Sequence, residues 1–351
     1  MITSRRTLLA AAAGSLAAPA IARAQSGLKW RCVTSWTRNL PGPGVSARRL
    51  AERITAMSAG ALTVEMFAAG EITGAFQALD AVSTGAVEMG HTASIFWGGK
   101  APVAPLFTTV PFGPGPTEHM AWLQSGGQEL WDELYASFNV KPFVGGNTGP
   151  SAAGWFRREI RSAADLKGLR IRATGIGGEV YSALGATAIA VPPGDTYAAL
   201  ERGVIDAVEL LAPANDAPLG LSRIAQLYAF PSFNKPNGAS ELIIGLERWN
   251  ALPADLKAVI EAATRAEHDV ALAECETTNA AAIARLVASG TRLLWLPEDV
   301  IASARTASRP ILERIAASSP LARRIVDHLE AHRAAGQTWR QISAASLARL
   351  T

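Results

Sequence analysis

Between Pro253 and Gly290 the chain runs without a proline or a glycine, rich in alanine and with apolar residues at helical spacing. Nothing in such a stretch breaks an α-helix, so residues 253–289 read as one long helix, or two joined end to end. A helix of about 35 residues spans roughly 50 Å, more than the width of a small domain. It has to bridge two packed bodies, and the rest of the chain must supply both.

The residues before it alternate between the two periodicities. Leu28 to Thr34 reads as an opening strand, closed by a Pro- and Gly-rich loop from Asn39 to Gly44, with a helix over Val45–Met57. Leu62–Ala68 alternates as a strand, Ile72–Thr84 has helical spacing with Gly85 placed to stop it, and Ala86–Ala93 is a further strand. The pattern resumes at Lys141–Gly146, Trp155–Ile160 and Gly168–Ala173. Helices at Gly177–Leu184 and Asp195–Arg202 then alternate with strands at Ala188–Val191, Val204–Leu211 and Glu241–Leu246. Short strands between helices of this length predict α/β layers. The expected organisation is a first α/β domain over 25–150, completed by the strand near 241–246, and a second over 151–240. The bridging helix follows, and further helices occupy 290–351.

The first residues have a different logic. Arg5-Arg6 precede Leu8-Leu9 and an Ala- and Leu-rich run, followed by Ala22-Arg23-Ala24. A charged head, an apolar segment and a small-x-small site form an export signal, here of the twin-arginine type. The apolar run, about 13 residues, is short of the about 20 that a spanning helix needs. Cleavage after about Ala24 and a periplasmic location are expected. That segment carries three arginines and no acid, which equals the chain's formal charge of +3. The mature chain is formally neutral, so a polyanionic partner such as nucleic acid loses its support. Cys32 and Cys275 lie far apart. An oxidising compartment permits a disulfide between them, but two buried thiols are favoured, and their spacing offers no metal cluster.

Catalytic constellations are weak. His328 and His332 are four apart beside Asp327 and Glu330, but without the zinc-protease order, and they read as a solvated helix face. Gly175-Ile176-Gly177-Gly178 follows a strand and opens a helix, yet Val180 stands where the third glycine of a dinucleotide loop belongs. The helix start there remains able to offer N–H groups to an anion. His91, between Gly90 and Thr92 in a strand, reads as structural. No Gly-x-Ser-x-Gly elbow is present, neither cysteine has an evident base, and no cofactor is expected.

Several segments carry more in combination. They are Thr34-Ser35-Trp36 with Asn39 and Pro41-Gly42, Ala69-Gly70-Glu71, Glu88-Met89-Gly90-His91-Thr92-Ala93, and Val110-Pro111-Phe112-Gly113. Gly146-Asn147-Thr148-Gly149, Gly154-Trp155-Phe156-Arg157-Arg158-Glu159-Ile160, Leu166-Lys167-Gly168-Leu169-Arg170-Ile171-Arg172 and Gly203-Val204-Ile205-Asp206-Ala207-Val208-Glu209 follow. In this order, over about 200 residues, the chain resembles the solute receptors of tripartite ATP-independent periplasmic (TRAP) transporters, especially the branch that binds 2-oxo acids and related small carboxylates. The resemblance implies two α/β domains closing on an organic acid, and delivery of that acid to the membrane permease subunits. It also implies that Arg172 pairs with the ligand carboxylate, for which a planar, permanently charged guanidinium is suited. Alternation puts Arg170 and Arg172 on one strand face, and only the motif favours Arg172. Asn147 falls on the family's cleft asparagine, although an Asn-Thr-Gly sequence also simply closes a turn. Phe96 and Trp97 fall at the pocket wall, where a tyrosine hydroxyl is common and Phe96 has none. Some relatives exchange C-terminal helices to form homodimers.

The chain also departs from that branch, which commonly holds a cation beside the ligand. The corresponding positions are Ser151, Glu209-Leu210 and Lys235, so only Glu209 is kept as a strong oxygen ligand. No metal is expected, and the Lys235 ammonium is expected to take its place, paired with Glu209 and the ligand. Ser151 and Leu210 are smaller than their counterparts, leaving room for an acid larger than pyruvate with Tyr197 and Phe233 lining the space. The expected function is capture of a 2-oxo or 2-hydroxy carboxylate, not catalysis. The rival readings are an ABC-type binding protein and an exported hydrolase or isomerase.

Overall fold

The computed structural model describes residues 27–349; the expected export signal and its cleavage site lie outside them. Eleven strands form two sheets. The strands are β1 (Leu28–Thr34), β2 (Leu62–Phe67), β3 (Met89–Thr92), β4 (Val140–Asn147), β5 (Gly154–Phe156), β6 (Arg170–Arg172), β7 (Thr187–Ile189), β8 (Ala207–Val208), β9 (Leu227–Phe230), β10 (Ala239–Gly245) and β11 (Arg292–Trp295). The first sheet has the order β2-β1-β3-β10-β4 and the second β11-β9-β5-β8-β6-β7. In the first, β1 runs parallel to β2 and β3, while β10 returns from the second sheet to pair antiparallel with β3 and β4. In the second, β8, β6 and β7 are parallel to one another, and β5 is antiparallel to β8 and β9.

Both sheets are covered on both faces, and the side-chain period of two decides which residue goes where. On β10, Leu242 and Ile244 pack with Trp30, Cys32, Leu50 and Ile54, while Ile243 between them joins Val33, Val82 and Trp131 on the other side. Leu50 and Ile54 come from the helix Pro43–Met57, whose buried stripe Ala47, Leu50, Ala51 and Ile54 has the spacing of one helical face. Burying each such leucine or isoleucine contributes about 1.5–3 kcal/mol. In the second sheet Trp155, Val208 and Tyr228 face one core, and Phe156 and Ala207 the other.

The stretch without helix breakers is a single helix, Ala254–Ala288, of 35 residues. Near its start Leu256, Ile260 and Ala263 belong to the core of the first sheet, and near its end Ile283 and Leu286 belong to that of the second. Halfway along, the fully buried Glu267 accepts hydrogen bonds from Ser46 Oγ at 2.6 Å and Arg49 Nη2 at 2.8 Å, tying the helix to Pro43–Met57. The chain thus passes between the sheets three times: from β4 to β5, from β9 to β10, and through this helix.

Some elements differ from the expectation. The helix expected from Ile72 begins only at Ala78, because side chains capture the backbone before it: Ala68 N–H donates to Glu71 and Gly74 N–H to Gln77 Oε1. The strand expected over Val204–Leu211 is only Ala207–Val208. Val204 N–H closes the preceding helix on Ala199 O, and Leu211 N–H turns away to Asp216 Oδ1 at 3.1 Å. Strands β9 and β11 and the helices Pro116–Trp122 and Gln128–Ala136 were not foreseen. The histidines of Pro320–Ala335 are half-buried at the edge of an exposed face carrying Asp327 and Glu330: His328 Nδ1 accepts from Trp122 Nε1 at 2.9 Å, and His332 lies 3.2 Å from Ser125 Oγ. Both cysteines are free, buried thiols.

Candidate functional site

Three parallel strands of the second sheet, β6, β7 and β8, end side by side, and open α/β sheets bind ligands beyond such carboxyl ends. Arg172 is the last residue of β6 and only 1 % exposed. Its Nε donates to Val191 O just beyond β7 at 3.0 Å, and Nη1 to Glu209 O just beyond β8 at 2.9 Å. The fork is therefore fixed on two backbone carbonyls, and Nη2 has no acceptor among the described residues. Burial lowers the Arg172 pKa, while Glu209 and Asp216 oppose the shift; a guanidinium stays charged regardless. Arg170, two residues earlier on the same face, reaches solvent and pairs with Asp206 at 2.6 Å.

Beside the arginine, Glu209 is 1 % exposed and Lys235 7 %. The Lys235 Nζ lies 2.7 Å from Glu209 Oε1 and donates to Leu210 O. This is a contact-distance, buried ion pair, and no other side chain or backbone donor reaches the Glu209 carboxylate among the described residues. The ammonium is held by attraction. Burial pulls the Lys235 pKa below the ordinary lysine range, and Glu209 is the main opposing influence. Behind this group Asp216 is fully buried, with donors from Trp155 Nε1, Tyr228 Oη and Leu211 N–H each at 3.1 Å. Burial nevertheless raises its pKa to about 7.

Arg172, Leu210 and Lys235 face a small cavity of about 50 Å³ between the two sheets. The first sheet's side of the wall is Trp36, Leu40, Ile95 and Phe96, with polar groups from Thr109, Thr148 and Asn237. Trp36 presents its ring, since its N–H is spent on His91 Nδ1 at 2.8 Å. His91 in turn approaches Gly145 O at 3.1 Å, and burial lowers its pKa to about 4, so it is a neutral structural group. Thr109 Oγ1 is buried and has no partner among the described residues.

Of the residues expected at the site, Arg172, Glu209, Leu210, Lys235 and Phe96 come together. Ser151 lies against them: its N–H donates to Lys235 O at 3.0 Å, and its buried Oγ is unpartnered. Asn147 stands one step back, its Nδ2 donating to Asn237 Oδ1 at 2.7 Å and its Oδ1 accepting from Gly149 N–H. The remaining three do not line the cavity. Trp97 is core, donating to Tyr135 Oη at 2.9 Å; Phe233 stacks on Phe112 and packs against Tyr181; Tyr197 packs in the second core beside Gly220. The helix start at Gly175 lines an adjoining groove with Phe76 and Glu179, which shares Ile95 and Phe96 with the cavity. Thr109 and Asn237 were missed. Asn237 stands in Pro236-Asn237-Gly238, which reads as a turn, and Thr109 is an isolated threonine with no local signal.

A planar cation fixed on carbonyls, a second buried cation and one buried carboxylate make a polar end suited to a small anion, while the opposite wall is apolar. The DctP family pattern, bacterial extracellular solute-binding protein family 7, matches residues 42–319. A monocarboxylate 2-oxoacid-binding periplasmic protein of Nostoc sp. is 37% identical over 323 residues, covering 91% of this chain and 88% of that protein. The crystal structure of a TRAP transporter solute-binding protein from Bordetella bronchiseptica, with calcium and picolinate in one site of a dimer, superposes with a TM-score of 0.90. It is 32% identical, over 92% of this chain and 97% of that one. One from Colwellia psychrerythraea, with bound calcium and pyruvate, has a TM-score of 0.88 and 31% identity, over 93% and 100% of the two chains. The chain therefore belongs to the DctP family, family 7 of the bacterial extracellular solute-binding proteins, the solute receptors of TRAP transporters.

Proposed function

We propose that this receptor captures a small 2-oxo or 2-hydroxy monocarboxylate outside the cytoplasm and hands it, unchanged, to its TRAP membrane permease. The observation that carries the reading is Arg172. A buried guanidinium locked on Val191 O and Glu209 O, lining the cavity and with Nη2 unclaimed among the described residues, is a prearranged carboxylate anchor. The formal charges of Arg172, Lys235 and Glu209 sum to +1, which one carboxylate neutralises. Exclusion of water by Trp36, Leu40 and Phe96 strengthens that pairing. The small cavity favours acids of a few heavy atoms over larger ones, consistent with relatives that hold pyruvate and picolinate.

In this reading residues 27–150 with β10 form one lobe and 151–238 the other, and the ligand is enclosed when they approach about the β4–β5 and β9–β10 crossings and the long helix. Asn147 acts through Asn237, holding the first-lobe wall in place. The helix Gln337–Ala348 leaves Trp339 70 % exposed and Ile342 53 % exposed, a face suited to pairing with a second copy of the chain.

Titration of the purified protein with pyruvate, 2-oxoisovalerate, lactate and picolinate by calorimetry tests the reading. Saturable one-site binding that Arg172→Ala abolishes is expected. Tight binding that survives this substitution, or slow conversion of the acid during incubation, sinks it.

A further inference from the structure

Two related receptors bind calcium together with an acid, picolinate in one and pyruvate in the other, so the polar end of this cavity is judged by its donors for such an ion. Calcium takes about six to eight oxygens. On this side the oxygens at hand are the Glu209 carboxylate and Leu210 O, and Lys235 Nζ sits against both. Among the described residues no group of three His, Cys, Asp or Glu side chains gathers anywhere. The residues do not fit a divalent ion, because a second positive charge would lie within contact distance of the ammonium in a buried setting, where repulsion is least screened.

We infer that Lys235 is a built-in cation: its ammonium fills the position of a metal ion, holds Glu209, and offers its remaining N–H to the 2-oxo or 2-hydroxy oxygen of the ligand, making capture independent of metal. The inference rests on the carboxylate-receptor reading above and deepens it. Three features of the site support it. First, an ammonium has three donors; one goes to Leu210 O, one side of the group faces Glu209, and the rest faces the cavity that Lys235 lines. Second, Glu209 is buried, so it depends on a neighbouring charge, and among the described residues Lys235, at 2.7 Å, is the cation in ionic contact with it. Third, Lys235 is fixed at its backbone from both sides, its N–H donating to Ser232 Oγ at 3.1 Å and its C=O accepting from Ser151 N–H at 3.0 Å. With the residue only 7 % exposed, the ammonium is confined to the cavity end. The trade is specificity: a tethered monovalent charge binds one ligand oxygen, whereas a metal ion chelates two.

Calorimetric titration of the exported, full-length mature protein with the same four acids, once in excess EDTA and once in millimolar calcium, tests this directly, with metal content read by elemental analysis. The expected result is the same affinity in both buffers within about twofold and no stoichiometric metal. A Lys235→Gln variant supplies an oxygen and removes the charge. It is expected to bind about 100-fold more weakly in EDTA, as when one partner of a buried pair is removed, and to recover in calcium. Wild-type binding that falls more than tenfold in EDTA and returns with calcium overturns the inference but leaves the receptor reading intact. Binding of none of the acids in either buffer overturns the receptor reading and this inference with it. A ligand adduct on Lys235 trapped by borohydride also overturns the inference, since a lysine joined to the ligand is not a free ammonium. The wild-type arms decide the matter even if the variant fails to fold.

Discussion

Arg172→Lys is the sharpest probe of how the site works, because it keeps the charge and removes the fork. Arg172 lines the cavity, makes two hydrogen bonds to backbone carbonyls and leaves Nη2 without an acceptor among the described residues. A lysine at this place is shorter, with one nitrogen to divide among Val191 O, Glu209 O and a ligand. Leaving one buried carbonyl unpaired costs about 1–3 kcal/mol of stability, which lowers the melting temperature by several degrees for a chain of this size. The loss of affinity has a separate origin. One charge-assisted hydrogen bond to the ligand, worth about 1.5–3 kcal/mol, disappears, so binding of pyruvate should weaken by roughly 10- to 100-fold. Calorimetry measures the affinity, and thermal unfolding of the ligand-free protein measures the stability term separately. If Arg172→Lys binds within threefold of the parent, the fork is not the anchor and the geometric argument fails.

Further expectations concern pH, closure and assembly. Burial raises the Glu241 pKa from 4.5 to about 8 and that of Asp216 from 3.8 to about 7, so each keeps its proton when folded and loses it on unfolding. The unfolded state then binds fewer protons in that window and stability falls as pH rises. His91, lowered by burial from 6.5 to about 4, acts in the opposite sense below pH 6.5. Melting temperature should therefore decline between about pH 6.5 and 8, and Glu241→Gln should flatten that decline; an unchanged slope would refute the assignment. A Cβ on Gly42, where φ is +78°, would lie 2.5 Å from Asn215 Nδ2 across the two lobes. Gly42→Ala should therefore weaken ligand binding beyond the roughly 1 kcal/mol strain expected of an alanine at positive φ, as judged by comparing titration with thermal unfolding. Trp339→Ser should shift a dimer to monomer in light scattering; an unchanged mass would remove the proposed C-terminal contact.

The layered α/β architecture and the long helix were legible in the sequence because they follow from local periodicity and the absence of helix breakers. Leu28–Thr34 and the stretch between Pro253 and Gly290 needed no tertiary information. The motif order also sufficed for the family. The short strands β9 and β11 were not legible, since four-residue segments acquire strand geometry only from the neighbours they pair with. The same limit applied to the arginine pair. Alternation put Arg170 and Arg172 on one face, and only the packing of β7 and β8 around the end of β6 left the first in solvent with Asp206 and buried the second on two carbonyls. Lys235 and Glu209 are 26 positions apart in a chain that crosses between sheets, so their charge types were readable but the 2.7 Å contact was a product of the fold. Residue chemistry is local to the sequence, whereas burial and partnership belong to the packed structure, and those turn a charge into a binding site.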